Sequence, residues 1–150
     1  MPVNYHTPVL LKEAIEGLSI KPGGVYVDCT FGGGGHSLSI LQRLNEKGKL
    51  VAFDKDEYAV KNLPNDERVI FVPHNFRHIQ RFLRLHKINQ VDGLLADLGV
   101  SSHQFDEADR GFSIRFDARL DMRMDQRQSI TAADILKDFT EQQLQKMLEQ

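Results

Sequence analysis

Apolar residues along this chain fall into short unbroken runs, separated by stretches in which they recur every three or four positions. The runs are "GVYVDCTF" from Gly24, "KLVAFD" from Lys49, "RVIFV" from Arg68 and "VDGLLADL" from Val91. Short apolar runs rich in β-branched residues predict four buried strands. The intervening stretches read as helices. In "HTPVLLKEAIEGL", Thr7 is the expected N-cap and Pro8 the first helical residue. In "HSLSILQRLNEKG", Leu38, Leu41 and Leu44 mark an apolar face and Gly48 a stop. "FRHIQRFLRLHKI" is a further amphipathic helix. Strands alternating with helices predict an α/β fold, a parallel sheet with flanking helices.

The order of elements gives one stretch particular weight. "DCTFGGGGHS", residues 28–37, joins the first strand to its helix. In an open α/β sheet, ligands bind beyond the carboxyl ends of the strands, where backbone N–H groups face outward. Asp54 ends the second strand about twenty residues on, where a carboxylate commonly holds a ribose diol. The site is therefore expected to take a nucleoside-containing ligand. The dinucleotide pattern G-x-G-x-x-G fails, since Ser37 or Leu38 stands at its last position, and the P-loop pattern is absent. What remains is D-x-T-x-G-x-G on Asp28, Thr30, Gly32 and Gly34. Asp28 either caps this loop or meets the ligand.

Composition narrows the class. The chain has 150 residues, 41% hydrophobic and 27% charged, enough for one compact core. A net charge of −2 leaves any nucleic-acid contact to local patches. The single cysteine, Cys29, excludes a disulfide framework. With no signal-peptide pattern and no membrane-length apolar run, a cytoplasmic location is expected. His74 and His78 lack the partners of a metal site, so none is expected.

Five segments, "HTPVLLKE", "VDCTFGGGGH", "DLGVSS", "RGFS" and "LDMRMD", occur in this order. Together they resemble the bacterial RsmH/MraW family, which methylates the N4 amine of a cytosine in the decoding region of 16S ribosomal RNA. The resemblance runs from about His6 to the end of the chain. It implies a Rossmann-like S-adenosylmethionine-dependent methyltransferase fold, incomplete at the C-terminus because family members are about twice as long. On this reading residues 1–128 are the N-terminal part of the cofactor-binding domain and 129–150 begin a helical insertion. The isolated chain is then expected to be inactive, and either to self-associate, through its open fourth strand or by exchanging its terminal helices, or to be only marginally stable. The resemblance further implies cofactor contacts at Gly34, Gly35, His36, Asp54, Phe76, Asp97 and Gln104. One departure is "SSHQ" at 101–104, where the family usually reads S-S-P-Q. The [DNS]-P-P-[YFW] motif of many amino-methyltransferases is absent as well, so the catalytic group stays unassigned. A Rossmann-type oxidoreductase and a non-catalytic RNA-binding module are the alternatives.

"RFDARLDMRMDQR" places a charge at every odd position from Arg115 to Arg127. As one helix this would stack like charges at i,i+4, so an ordered, extended loop or hairpin near the site is expected. Arg119 and Arg123 are candidates for phosphate contact, against the alternative of internal Arg–Asp pairing.

Overall fold

A computed structural model describes residues 8–149, which divide into two compact units, the first through Leu98 and the second from Gly99. The 128/129 division drawn from the sequence marks where an insertion would begin, which compactness does not test.

The first unit is built on four parallel strands in the order β3-β2-β1-β4: β1 (Val25–Asp28), β2 (Lys49–Phe53), β3 (Val69–Val72) and β4 (Gly93–Leu95). All four predicted strands are present. Alternation along them builds two layers. Tyr26 and Leu50 face one side, with Ile15 of α1 (Leu11–Gly17) and Ile40 and Leu41 of α2 (Gly35–Leu41). Val27, Val51, Phe53 and Val72 face the other, where Ile79, Phe82 and Leu83 of α3 (Ile79–Leu85) pack. Register aligns Asp28 with Ala52 and Leu95, so the carboxyl ends of the strands lie side by side.

Helix boundaries differ from expectation in two places. α1 begins at Leu11 rather than Pro8, entered through Leu10 at φ 53° without a side-chain cap. Pro8 packs instead against the glycine loop: a Cβ on Gly35 would lie 2.5 Å from Pro8 Cγ. Thr7 lies outside the described residues. α2 stops at Leu41, not near Gly48, and its buried face is His36, Ser37, Ile40 and Leu41, with Leu38 at the surface. The apolar spacing at Leu38 is misleading because the polar pair His36–Ser37 turns inward toward Asp28. Gly48 serves packing: a Cβ there would meet Pro22 O at 2.8 Å and Leu44 Cβ at 2.9 Å.

The second unit holds three short helices, α4 (Ser102–Asp106), α5 (Ala132–Asp138) and α6 (Glu141–Leu148). Each opens on a capping box, Ser101 with Gln104, Thr131 with Asp134 and Thr140 with Gln143. Residues 111–130 form no helix, as expected, but no hairpin either: turns interrupt the segment and Met122 is left-handed at φ 56°. Arg110 organises this stretch, its Nη2 donating to the carbonyls of Arg123 (3.1 Å) and Met124 (3.3 Å). Gly111 follows in the left-handed region at φ 69°, where a Cβ would meet Arg119 O at 2.5 Å. Among the described residues no helix is long and apolar enough to cross a membrane.

Candidate functional site

The glycine loop is a constrained structure, and its constraints start from Asp28 at the end of β1. That carboxylate is fully buried, accepting from Ser37 Oγ at 2.7 Å and from the Thr30 N–H at 3.0 Å. Burial raises its pKa, opposed by those two hydrogen bonds. Asp28 therefore caps the loop from inside, the first of its two sequence alternatives. Thr30 Oγ1 accepts the N–H of Asp97 at 2.8 Å, joining the loop to the segment after β4.

Gly32 and Gly34 both adopt left-handed backbone, φ 50° and 79°, which explains glycine there. The Gly34 N–H closes a turn on Phe31 O at 2.7 Å. A Cβ on Gly34 would lie 3.1 Å from Phe31 Cζ and 3.6 Å from Asn62 O. The bare backbone at Gly34 and Gly35 thus accommodates the chain's own Phe31, Asn62 and Pro8.

Asp54, just beyond β2, accepts the Gly32 N–H on Oδ2 at 2.7 Å and the Asp56 N–H on Oδ1 at 2.9 Å. Burial raises its pKa, against those N–H bonds. The Lys55 N–H is a third backbone donor to this carboxylate, which has about four acceptor sites in all. His36, in the first turn of α2, is buried, with Nδ1 3.9 Å from Asp97 Oδ2 and Nε2 lacking a hydrogen-bond partner. The Asp97 side chain is 54% exposed. Phe76 starts a 3-10 turn after β3, half-buried against the α3 side of the sheet, with Asn75 capping that turn.

The structure thus brings Gly34, Gly35, His36, Asp54, Phe76 and Asp97 to the segments that follow the carboxyl ends of the four strands. Gln104, Arg119 and Arg123 belong to the second unit. Gln104 is buried, its Oε1 accepting the Ser101 N–H at 3.1 Å, so the box holds this residue without the family's proline. Arg119 is exposed. Arg123 pairs with Asp121, with Nη2 2.6 Å from Oδ2. His74 stacks on Phe82, with centroids 4.8 Å apart. No group of three or more metal-ligating side chains occurs among the described residues.

Asn62 is the site residue that sequence reasoning missed. It ends the 3-10 helix Glu57–Asn62, and its Nδ2 donates to Gly32 O at 3.0 Å. No spacing rule ties a helix-end asparagine to a loop thirty residues earlier. Gln104 entered the candidate set through the family resemblance, and the structure adds that Ser101-x-x-Gln104 is a capping box.

A parallel sheet with a capped glycine loop after β1 and an acidic residue after β2 is a Rossmann-like architecture. The sequence profile of the MraW methylase family matches residues 3–150. The chain belongs to that family. It is 58% identical over 142 residues to a protein of Bacteroides thetaiotaomicron named ribosomal RNA small subunit methyltransferase H, covering 95% of this chain and 47% of that one. Proteins of the same name from Flavobacterium johnsoniae and Christiangramia forsetii are 57% and 55% identical over 145 residues, 97% of this chain and 48% of each. The chain spans about half the length of these curated relatives.

Proposed function

We propose that this chain carries the cofactor-binding part of an enzyme that transfers a methyl group from S-adenosylmethionine to the N4 amine of a cytosine in the decoding region of 16S ribosomal RNA. The observation that supports it most is the glycine loop, held in one form by Asp28, Asp54 and Asn62, in a member of the MraW methylase family.

The residues present fit such a cofactor. Asp54 offers a carboxylate to ribose hydroxyls, and Phe76 an aromatic face to adenine. The backbone of Gly34 and Gly35 is a further proposed contact, and the exposed Asp97 carboxylate suits the ammonium group of the amino-acid tail. His36 Nε2 is a buried polar atom still in want of a partner. Gln104 is also a proposed contact. When bound, the cofactor supplies an electrophilic methyl group on a sulfonium centre.

This chain's residues contribute binding and orientation. A loop ordered before binding lowers the entropic cost of association. A cytosine amine is a weak nucleophile, so holding it in line with the methyl is the main requirement. A base in a single-stranded region can splay outward at little cost, which suits RNA as substrate. Arg119 and Arg123, four residues apart, are the proposed phosphate contacts, of which Arg123 is also held by Asp121.

Calorimetry with S-adenosylmethionine, S-adenosylhomocysteine and NAD tests the cofactor assignment. Binding of the first two and not the third is expected. Preference for NAD would replace the reading with the oxidoreductase alternative.

A further inference from the structure

Gly32 is held at both of its polar groups. Its N–H donates to Asp54 Oδ2 at 2.7 Å, and its carbonyl accepts from Asn62 Nδ2 at 3.0 Å. Fixing the peptide planes on either side of one residue fixes both its φ and its ψ. That matters most for a glycine, which has more backbone states to lose than any other residue. The observed φ of 50° lies in the left-handed region.

Both partners come from one rigid segment. Asp54 Oδ1 accepts the Asp56 N–H at 2.9 Å, and Asp56 Oδ1 accepts the Tyr58 N–H at 3.0 Å, capping the 3-10 helix that ends at Asn62. The carbonyl of Asn62 also stands where a Cβ on Gly34 would be 3.6 Å away. Residues 54–62 therefore form a clamp over the loop, with a carboxylate at one end and an amide at the other.

We propose that Asn62 is a positioning residue for cofactor binding: it sets the glycine loop in its binding form without itself meeting the cofactor. This inference rests on the cofactor reading given above. Asp54 has two tasks, to hold the loop and to meet the ligand. Asn62 has only the first. Its loss should let Gly32 rotate away from the left-handed region, so that ligand binding must reorder the loop.

The test compares Asn62→Leu, which keeps the side chain's size and removes its donor, with Ile88→Val, a core change on the α3 side of the sheet. The unsubstituted chain and both variants are titrated with S-adenosylhomocysteine by calorimetry, and amide hydrogen exchange is followed at Gly32–Gly35. The expected result is roughly three- to tenfold weaker binding in Asn62→Leu, the range set by loss of one neutral hydrogen bond, with faster exchange confined to the loop. Ile88→Val should lower the melting temperature and leave affinity and loop exchange alone. Unchanged affinity or unchanged loop exchange in Asn62→Leu overturns the inference. So does an equal affinity loss in Ile88→Val, which would make the effect one of general stability. Failure of the unsubstituted chain to bind overturns the cofactor reading beneath it.

Discussion

Asp121 and Arg123 form a two-pronged ion pair across a single intervening residue, with Nη2 2.6 Å from Oδ2 and Nε 2.9 Å from Oδ1. The Arg123 N–H closes the same unit on Oδ1 at 2.9 Å, and Nη1 reaches the carbonyls of Gln126 and Gln128. Asp125 with Arg127 and Asp66 with Arg68 repeat the D-x-R arrangement. In all three units the aspartate also accepts the N–H of the arginine two residues on, so each pair closes a turn, with Met122 between Asp121 and Arg123 at φ 56°. The hydrogen bond from Arg123 holds the Asp121 carboxyl below its usual value.

The two arginines proposed for RNA should therefore behave differently. In an enzyme of the relatives' length, Arg119→Gln is expected to flatten the salt dependence of RNA binding by about one unit of slope. Arg123→Gln should chiefly expose residues 119–130 to protease, because it releases Asp121 and two backbone carbonyls. Filter binding across a salt series, with limited proteolysis, checks both. An unaltered slope in Arg119→Gln would remove it from the RNA interface.

Acid titration should reveal the Asp66–Arg68 pair. Hydrogen bonds from Arg68 hold the Asp66 carboxyl at about 2, against 3.8 unperturbed. A depressed folded value stabilises above the unfolded value and ceases to do so as pH falls through the folded one. Arg68 Nη1 also bonds the carbonyls of Leu41 (3.1 Å) and Leu44 (2.6 Å), which ties the end of α2 to the start of β3. Asp66→Asn should lower the urea midpoint at neutral pH, with the difference from the parent shrinking between pH 3.8 and about 2. A difference that persists undiminished at pH 2 would show that charge is not its origin.

Gly34→Ala should destabilise the chain whether or not a ligand is present. The left-handed backbone at φ 79° costs a side-chain-bearing residue about 1–2 kcal/mol, and the added Cβ meets Phe31 Cζ at 3.1 Å. Denaturant unfolding of the ligand-free chain measures this. An unchanged midpoint would mean that the loop relaxes freely, contrary to its hydrogen bonds.

The strands were legible because each is a continuous apolar run bounded by turn residues, and the parallel arrangement followed from the helices between them. Asp54 was singled out by its place after β2, whereas His36, Phe76, Asp97 and Gln104 came only through the family resemblance, and their cofactor contacts stand as proposals. Helix limits were less legible. Leu38, Leu41 and Leu44 suggested a longer α2, yet Asp28 draws Ser37 inward and no periodicity rule anticipates a buried polar pair. The Asn62–Gly32 bond was invisible for a different reason, since it joins residues brought together only by the β1–β2 pairing.

Cys29 should report on unfolding of the first unit. Burial, with the neighbouring Asp28 charge, pushes its thiol up to about 11. Reactivity requires the thiolate and access to it, and this side chain has neither. Iodoacetamide at pH 8 is expected to label it only through opening, at a rate that rises with urea in step with loss of helical circular dichroism. Rapid labelling of the folded chain would show local opening of the strand end that carries Asp28.

The outer side of β4 is the last point at which the fold makes a measurable claim. β4 pairs with β1 alone among the described strands, over three residues, and Leu94 in its middle is 50% exposed. An apolar strand with one unpaired edge is a template for another chain. Leu98, close behind it, is also exposed. The 150-residue chain is therefore expected to self-associate through this edge, with a mass by light scattering that rises with concentration. Leu94→Lys puts a charge in the middle of the strand and should shift the chain toward monomer. Melting temperature distinguishes this from unfolding, because Leu94 is not part of the buried core and its replacement should move the midpoint little. A parent chain that stays monomeric at every concentration would show the edge to be protected in solution. Association that Leu94→Lys leaves intact would move the contact elsewhere, to the exposed Leu136, Met147 and Leu148 of α5 and α6.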